Sequence, residues 1–194
     1  MREIELSWSG PFEFTSERGR SLFLAQEGAD AGVYVWGVRT SRGLIPHYVG
    51  ETGKSFAIRH LEHFQSYATG VYSTREADAF VAGREVILCA GVYWRRTRIS
   101  EHQQFIDGFA QFAAHVSKML AAIEVFVAPL NADQRIRRRV EAGLASAFYH
   151  ADAECLALFP PGYRRWKRRP DEESLLVSCN SVPPVMGFRT QFEA

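Results

Sequence analysis

The stretch "GVYVWGVRTSRGLIPHYVGETGKSFAIRHLEHF", residues 32–64, carries two phenols, a guanidinium and an imidazole in close succession, at Tyr34, Tyr48, Arg59 and His63. Together these side chains can move a proton and hold an anion. Arg59 stays charged at any ordinary pH and pairs with phosphate-type oxygens. A free tyrosine has a pKa near ~10, so it serves as a base at neutral pH only where neighbouring cations favour the phenolate. Taken singly, each of these residues is an ordinary β-favouring aromatic or polar helix residue. Their order and spacing carry the information.

The elements that hold them follow from local pattern. Val33–Arg39 is rich in β-formers, "TSRG" reads as a turn, and "LIPHYVG" returns as a second strand, which makes a hairpin. Strands of a hairpin run about 5 Å apart, so residues on one face touch. The sequence leaves the register open, and with it whether Tyr34 and Tyr48 share a face. From Ser55 the apolar residues Ala57, Leu61, Phe64 and Ala68 recur at helical spacing, with Ser55 or Thr52 available as the cap. Arg59 and His63 are four apart and share one face of that helix. Leu61 lies about 200° around from Arg59 at 3.6 residues per turn, so the polar pair points away from it. The tripeptide Gly-Val-Tyr occurs three times, ending at Tyr34, Tyr72 and Tyr93, and only the first copy has these partners.

Further along, Glu85–Trp94 reads as a strand and Glu101–Leu120 as an amphipathic helix. "AIEVFVAP" is a strand stopped by Pro129, and Asp133 opens a helix with Ile136, Val140, Leu144 and Phe148 on one face. Glu3–Trp8 and Pro11–Phe14 read as short extended segments. After His150 the chain is irregular until "SLLVS" offers a last short strand. The order is that of a mixed α/β protein with little sign of a doubly wound parallel sheet.

With 194 residues, 46% hydrophobic and 23% charged, the chain suits one domain that buries roughly 70% of its unfolded surface. It has no apolar run approaching ~18 residues, and "MREIELSWSG" lacks a signal-peptide core, so a cytoplasmic protein away from membranes is expected. Cys89, Cys155 and Cys179 form no CxxC pair, which favours reduced thiols. His47, His60, His102, His115 and His150 show no metal-ligand spacing and are read as surface residues. A net charge of +1 does not announce a nucleic-acid binder. Positive charge is nonetheless concentrated in "RIRRR" (135–139) and "RRWKRR" (164–169), which are either solvated faces or tracks for a phosphate backbone.

"GVY", then "YVG", then Arg59 eleven residues after Tyr48 and His63 four later, resembles the GIY-YIG nuclease family. "YVGETGKSFAIRHLEH" is especially similar to that family's second strand and first helix. The resemblance runs from Gly32 to His63 and continues through "AIEVFV" into the helix bearing Glu141. It implies an α+β fold with a small, mostly antiparallel three-stranded central sheet flanked by helices, within one domain spanning 1–194. The catalytic core would be 30–150 with an insertion at 70–120, followed by an irregular extension at 151–194.

The same resemblance implies an endonuclease that hydrolyses DNA phosphodiester bonds with a single Mg²⁺ or Mn²⁺ held by Glu141. Tyr34 would be the general base and Tyr48 would orient it. Arg59 would pair with the phosphate, and His63 would assist proton transfer or bind the scissile group. DNA would run past Gly50, Lys54, Arg165, Lys167 and Arg168, with Tyr163 and Trp166 interleaved to stack on bases. Asn180 matches the family's late asparagine at an unusually long separation from Glu141. Glu51 stands where excision-repair members carry lysine, which favours a restriction-like or other stand-alone nuclease. The alternatives are a catalytically silent DNA-binding module on the same scaffold, a structure-specific repair or recombination nuclease, and a structural or protein-interaction domain. A duplex cut by single-site subunits favours a homodimer. Read alone, Glu141 also suits a pairing with Arg137 or Arg138 on its own helix, worth about 0.2–0.5 kcal/mol.

Overall fold

A computed structural model describes residues 1–16, 19–92, 99–160 and 168–194. In chain order the elements are β1 (Arg2–Ser7), β2 (Ser9–Phe12), β3 (Gly32–Thr40), β4 (Gly43–Thr52), α1 (Phe56–Ala68), β5 (Thr74–Arg75), α2 (Ala77–Val81) and β6 (Ile87–Cys89). They continue with α3 (Ile99–Asp107), α4 (Phe109–Ala122), β7 (Ile123–Pro129), α5 (Gln134–Tyr149), β8 (Leu175–Asn180) and β9 (Gln191–Glu193). The fold is mixed α/β. Among the described residues no helix is long and apolar enough to cross a membrane.

The central sheet runs in the order β2-β7-β3-β4 and is antiparallel throughout. It has four strands where the resemblance implies three, because Ser9–Phe12 adds an edge beside β7. β3 lies inside the sheet and is buried on both faces from Gly32 to Val38, as a strand covered on each side must be. Val33 and Val35 face a cluster with Val140, Leu144 and Phe148 of α5 and with Ile4, Leu6, Leu175 and Val177. Tyr34, Trp36 and Val38 face the opposite cluster, with Phe56 of α1, Phe80 of α2 and Val116, Met119 and Leu120 of α4.

The C-terminal stretch is more ordered than its sequence indicates. β8 pairs in parallel with β1 and antiparallel with β9, giving a second, three-stranded sheet. No local pattern announces a parallel partner so distant in sequence. The expected strand over 85–94 shortens to Ile87–Cys89 among the described residues, with Thr74–Arg75 as its partner. The expected helix over 101–120 is two helices, broken at Gly108, where a Cβ would come within 2.6 Å of the Phe112 ring.

The basic run 135–139 is spent inside the molecule. Arg135 grips Glu172 through two hydrogen bonds of 2.6 Å, while Arg137 and Arg138 both reach Glu51. Arg139 is 3% exposed and donates to the carbonyls of Glu173 and Ala194. Carboxylates and carbonyls distant in sequence therefore take up charge that the sequence offers to solvent or to phosphate.

Candidate functional site

The hairpin register decides the geometry. Tyr34 pairs with Gly50 and Trp36 with Tyr48, so Tyr34, Trp36 and Tyr48 lie on one face of the sheet. The register then shifts, with Gly37 opposite Pro46, which leaves His47 as the extra residue of a bulge. The Tyr34 ring lies across Gly50. A Cβ at position 50 would stand 2.3 Å from the Tyr34 hydroxyl oxygen, so this close approach requires glycine. Tyr34 is 0% exposed, and its ring stacks beside that of Tyr48 with centroids 6.0 Å apart.

Helix α1 covers this face. Ser55 caps it, its hydroxyl accepting from the Ile58 amide, while the Thr52 hydroxyl accepts from the Lys54 amide in the loop before it. The buried face is Phe56, His60, His63 and Tyr67, whereas Leu61 and Phe64 are 45% and 44% exposed. The helix is thus rotated from its apolar stripe, and two imidazoles point inward. They fit there because the opposing strands present polar hydrogens. The Trp36 indole donates to His60 Nε2 at 2.9 Å, and His60 Nδ1 donates to the Phe56 carbonyl at 2.7 Å. An indole can only donate and a carbonyl can only accept, so His60 is neutral with its proton on Nδ1. Burial pushes its pKa down to about 4. His47 is buried likewise, 2.9 Å from the Leu158 carbonyl, and its pKa falls to about 3. These two histidines are core residues, which corrects the expectation of a surface position for both.

His63 and Arg59 both meet the Tyr34 hydroxyl. Arg59 Nε donates to that oxygen at 3.3 Å, and His63 Nε2 lies 2.7 Å from it. Arg59 fills one lone pair of that oxygen, and the neutral His63 tautomer with its proton on Nδ1 is the one whose Nε2 accepts the tyrosine hydrogen. His63 Nδ1 is 3.1 Å from the hydroxyl of Tyr72. The second Gly-Val-Tyr copy thus joins the site that the first one opens, contrary to what the spacing suggests. Nothing in local sequence signals it, because the link depends on the chain folding back after α1.

Burial dominates the electrostatics. It holds the Tyr34 phenol well above its ordinary range, Tyr48 adds to this, and Arg59 only partly offsets it. The nearby cation therefore does not by itself make Tyr34 a phenolate, because desolvation outweighs it. Burial, then Arg59 and His60, push His63 well below its usual value, so it too rests neutral. Burial opposes the charge on Arg59, but Tyr34, Tyr48 and Glu62 more than offset this and its pKa is raised.

Asp133 caps α5 through the Ile136 amide at 2.9 Å, and the helix packs mainly on β4. Val140, Leu144 and Phe148 are buried with Ile136 partly covered, as the apolar spacing predicts. Glu141, beside that stripe, is partly buried close to Glu51, Arg138, Arg59 and Tyr34, each of which shares an electrostatic interaction with it. Arg137 and Arg138 both pair with Glu51, and Arg138 also attracts the Glu141 carboxylate electrostatically. Burial, reinforced by the Glu51 charge, pushes its pKa up to about 8. A carboxyl without a hydrogen-bonding partner among the described residues, next to a second carboxylate, suits a hard cation such as Mg²⁺ that keeps most of its water. Among the described residues no group of three His, Cys, Asp or Glu side chains gathers as a metal cage.

The remaining candidates scatter. Lys54 is exposed and, with Arg59, binds Glu62. Asn180 sits on β8 in the other sheet and donates to Glu5. Arg168 is exposed, whereas Arg165, Lys167, Tyr163 and Trp166 lie outside the described residues.

Fold and site together define a mixed α/β protein with a buried tyrosine–histidine–arginine cluster beside a carboxylate with an elevated pKa. No family model, no curated protein and no solved structure matches the chain.

Proposed function

We propose that the protein is a Mg²⁺-dependent DNA endonuclease of the GIY-YIG type, a stand-alone cytoplasmic nuclease rather than a repair enzyme. In this reading β4, β3 and β7 with α1 and α5 form the family's core, and β2 is an added edge strand. One observation carries it. The Tyr34 hydroxyl is held by both His63 and Arg59, while Glu141, without a hydrogen bond or ion pair among the described residues, approaches from a separate helix. Packing alone needs none of this polarity, and burying it is tolerated here because the groups hydrogen-bond one another.

Phosphodiester hydrolysis needs an activated water, neutralised transition-state charge and help for the leaving oxygen. A divalent ion on Glu141 would supply charge neutralisation at the phosphate and acidify the attacking water. Arg59 exchanges Glu62 for a phosphate oxygen, and Lys54 loses the same partner. Tyr34 takes the proton of the attacking water and passes its own to His63 Nε2, so no buried phenolate need form. Tyr48 packs on the Tyr34 ring and holds its direction. Each copy carries one such pocket, so a double-strand cut takes a pair of copies.

The test is cleavage of supercoiled plasmid in Mg²⁺ against EDTA, with Glu141→Ala as the control. The expected result is metal-dependent cutting that Glu141→Ala abolishes while DNA binding survives. A wild-type protein that binds DNA but leaves plasmid intact points to the silent module, and a Glu141→Ala protein that cuts normally removes the metal role.

A further inference from the structure

Tyr34 is 0% exposed in the free protein, so the attacking water reaches its hydroxyl only once Arg59 has moved to the phosphate. The proton displaced from Tyr34 leaves through its hydrogen-bond partners. Two hydrogen bonds lead outward from it, to His63 Nε2 and then from His63 Nδ1 to the Tyr72 oxygen. Tyr72 is only partly buried. It is fixed just beyond α1 by its amide, which donates to the Ser66 carbonyl at 3.0 Å, and by its ring, which packs edge-on to Tyr67 at 5.1 Å. Three rings from β3, α1 and the loop after α1 are thus threaded into one line.

We propose that Tyr72 is the outer member of a proton path that runs from Tyr34 through His63 to solvent. The proposal rests on the nuclease reading above and adds to it a residue with no part in the sequence pattern. The groups facing His63 are Arg59 and His60 on its own helix, Tyr34 and Trp36 on β3, Tyr48 on β4 and Tyr72. Among them Arg59 is the fixed charge, and it disfavours a lasting imidazolium. His63 therefore receives a proton on Nε2 as it releases one from Nδ1. Each cut relays one proton and leaves His63 with its proton on Nε2, and after product release the reverse shifts through Tyr72 and Tyr34 restore the Nδ1 tautomer. One proton leaves the attacking water for the Tyr34 oxygen, and the Tyr34 proton moves to Nε2. The Nδ1 proton moves to the Tyr72 oxygen, and the Tyr72 proton passes to bulk water. Tyr72 acts through His63 and is a positioning residue.

Tyr72→Phe tests this, because it removes one oxygen and keeps the ring against Tyr67. The expected result is a kcat for plasmid cleavage that is lower by roughly tenfold, within the range of proton-transfer effects. KM for DNA stays unchanged, and the rate recovers as imidazole buffer is raised. In ¹⁵N spectra, wild-type His63 should show a protonated Nδ1 and a bare Nε2, and Tyr72→Phe should mix the two tautomers. A variant that cuts at the wild-type rate, or whose deficit ignores buffer and appears in KM, overturns the relay. A ¹⁵N pattern unmoved by the substitution overturns it independently. A wild-type protein that never cuts removes the nuclease reading itself, an outcome distinct from a wild-type protein that cuts no better than Tyr72→Phe.

Discussion

Tyr34 and Gly50 face each other across the hairpin, and the phenol occupies the volume that any side chain at position 50 would need. The two halves of the motif are thus one steric unit. Gly50→Ala should force the Tyr34 ring away from His63 and destabilise the protein by about 1–3 kcal/mol, as overpacking a tight core does. Chemical denaturation measures this. A variant as stable as the wild type would mean that the ring does not rest on Gly50.

Glu141 makes the protein's response to pH readable. Its carboxyl titrates near 4.5 when unfolded and about 8 when folded, so the native state holds the proton more tightly. Its contribution to stability is complete below about pH 4.5 and disappears as pH rises to about 8. Glu141→Gln should therefore gain stability relative to wild type across that window. Mg²⁺ binding at pH 7 should release close to one proton, which calorimetry in buffers of different ionisation enthalpy detects. Equal proton release by wild type and Glu141→Gln would exclude Glu141 as the ligand.

The buried histidines work in the opposite sense. His60 and His47 fall from about 6.5 unfolded to about 4 and about 3 folded, so the unfolded chain takes protons first. Stability is present above pH 6.5 and declines as pH falls towards those values. His60→Ala should also leave the buried Trp36 N–H without its acceptor, at a cost of about 1–3 kcal/mol. Thermal melts at pH 7 and pH 5 check both effects, and an acid sensitivity unchanged in His60→Ala would assign it to other groups.

Glu62 binds the two cations that the proposed reading assigns to phosphate. Glu62→Gln should raise DNA affinity at low salt by up to about tenfold. It should also steepen the salt dependence by about 0.9 in log–log slope for each further phosphate that the freed cations neutralise. Titration across salt concentrations measures this. A slope and an affinity both identical to wild type would show that Glu62 does not compete with DNA for Lys54 and Arg59.

Much of the molecule is legible in its sequence. The hairpin, the Ser55 and Asp133 caps, the strand before Pro129 and the apolar face of α5 all follow from patterns within a few residues. Those patterns reflect local forces: backbone preference, capping and the alternation of apolar side chains. They place Tyr34, Tyr48, Arg59 and His63 on a hairpin and the helix after it, and the resemblance to the GIY-YIG family adds Glu141 to the group.

The rest belongs to packing between distant segments. The bulge at His47 sets which side chains share a face, and its one local sign is Pro46, since a proline inside a strand sits at an edge or a bulge. The face of α1 that turns inward is chosen by the indole and phenol groups of the sheet, which satisfy imidazoles and leave Leu61 and Phe64 exposed. The arginines of 135–139 find partners in Glu51 and Glu172, the latter beyond their own helix on the C-terminal side and the former far before it. The sequence by itself determined which chemical groups are present and which local elements carry them. Only the tertiary structure decided which protons are held, because desolvation and partner geometry arise when the segments meet.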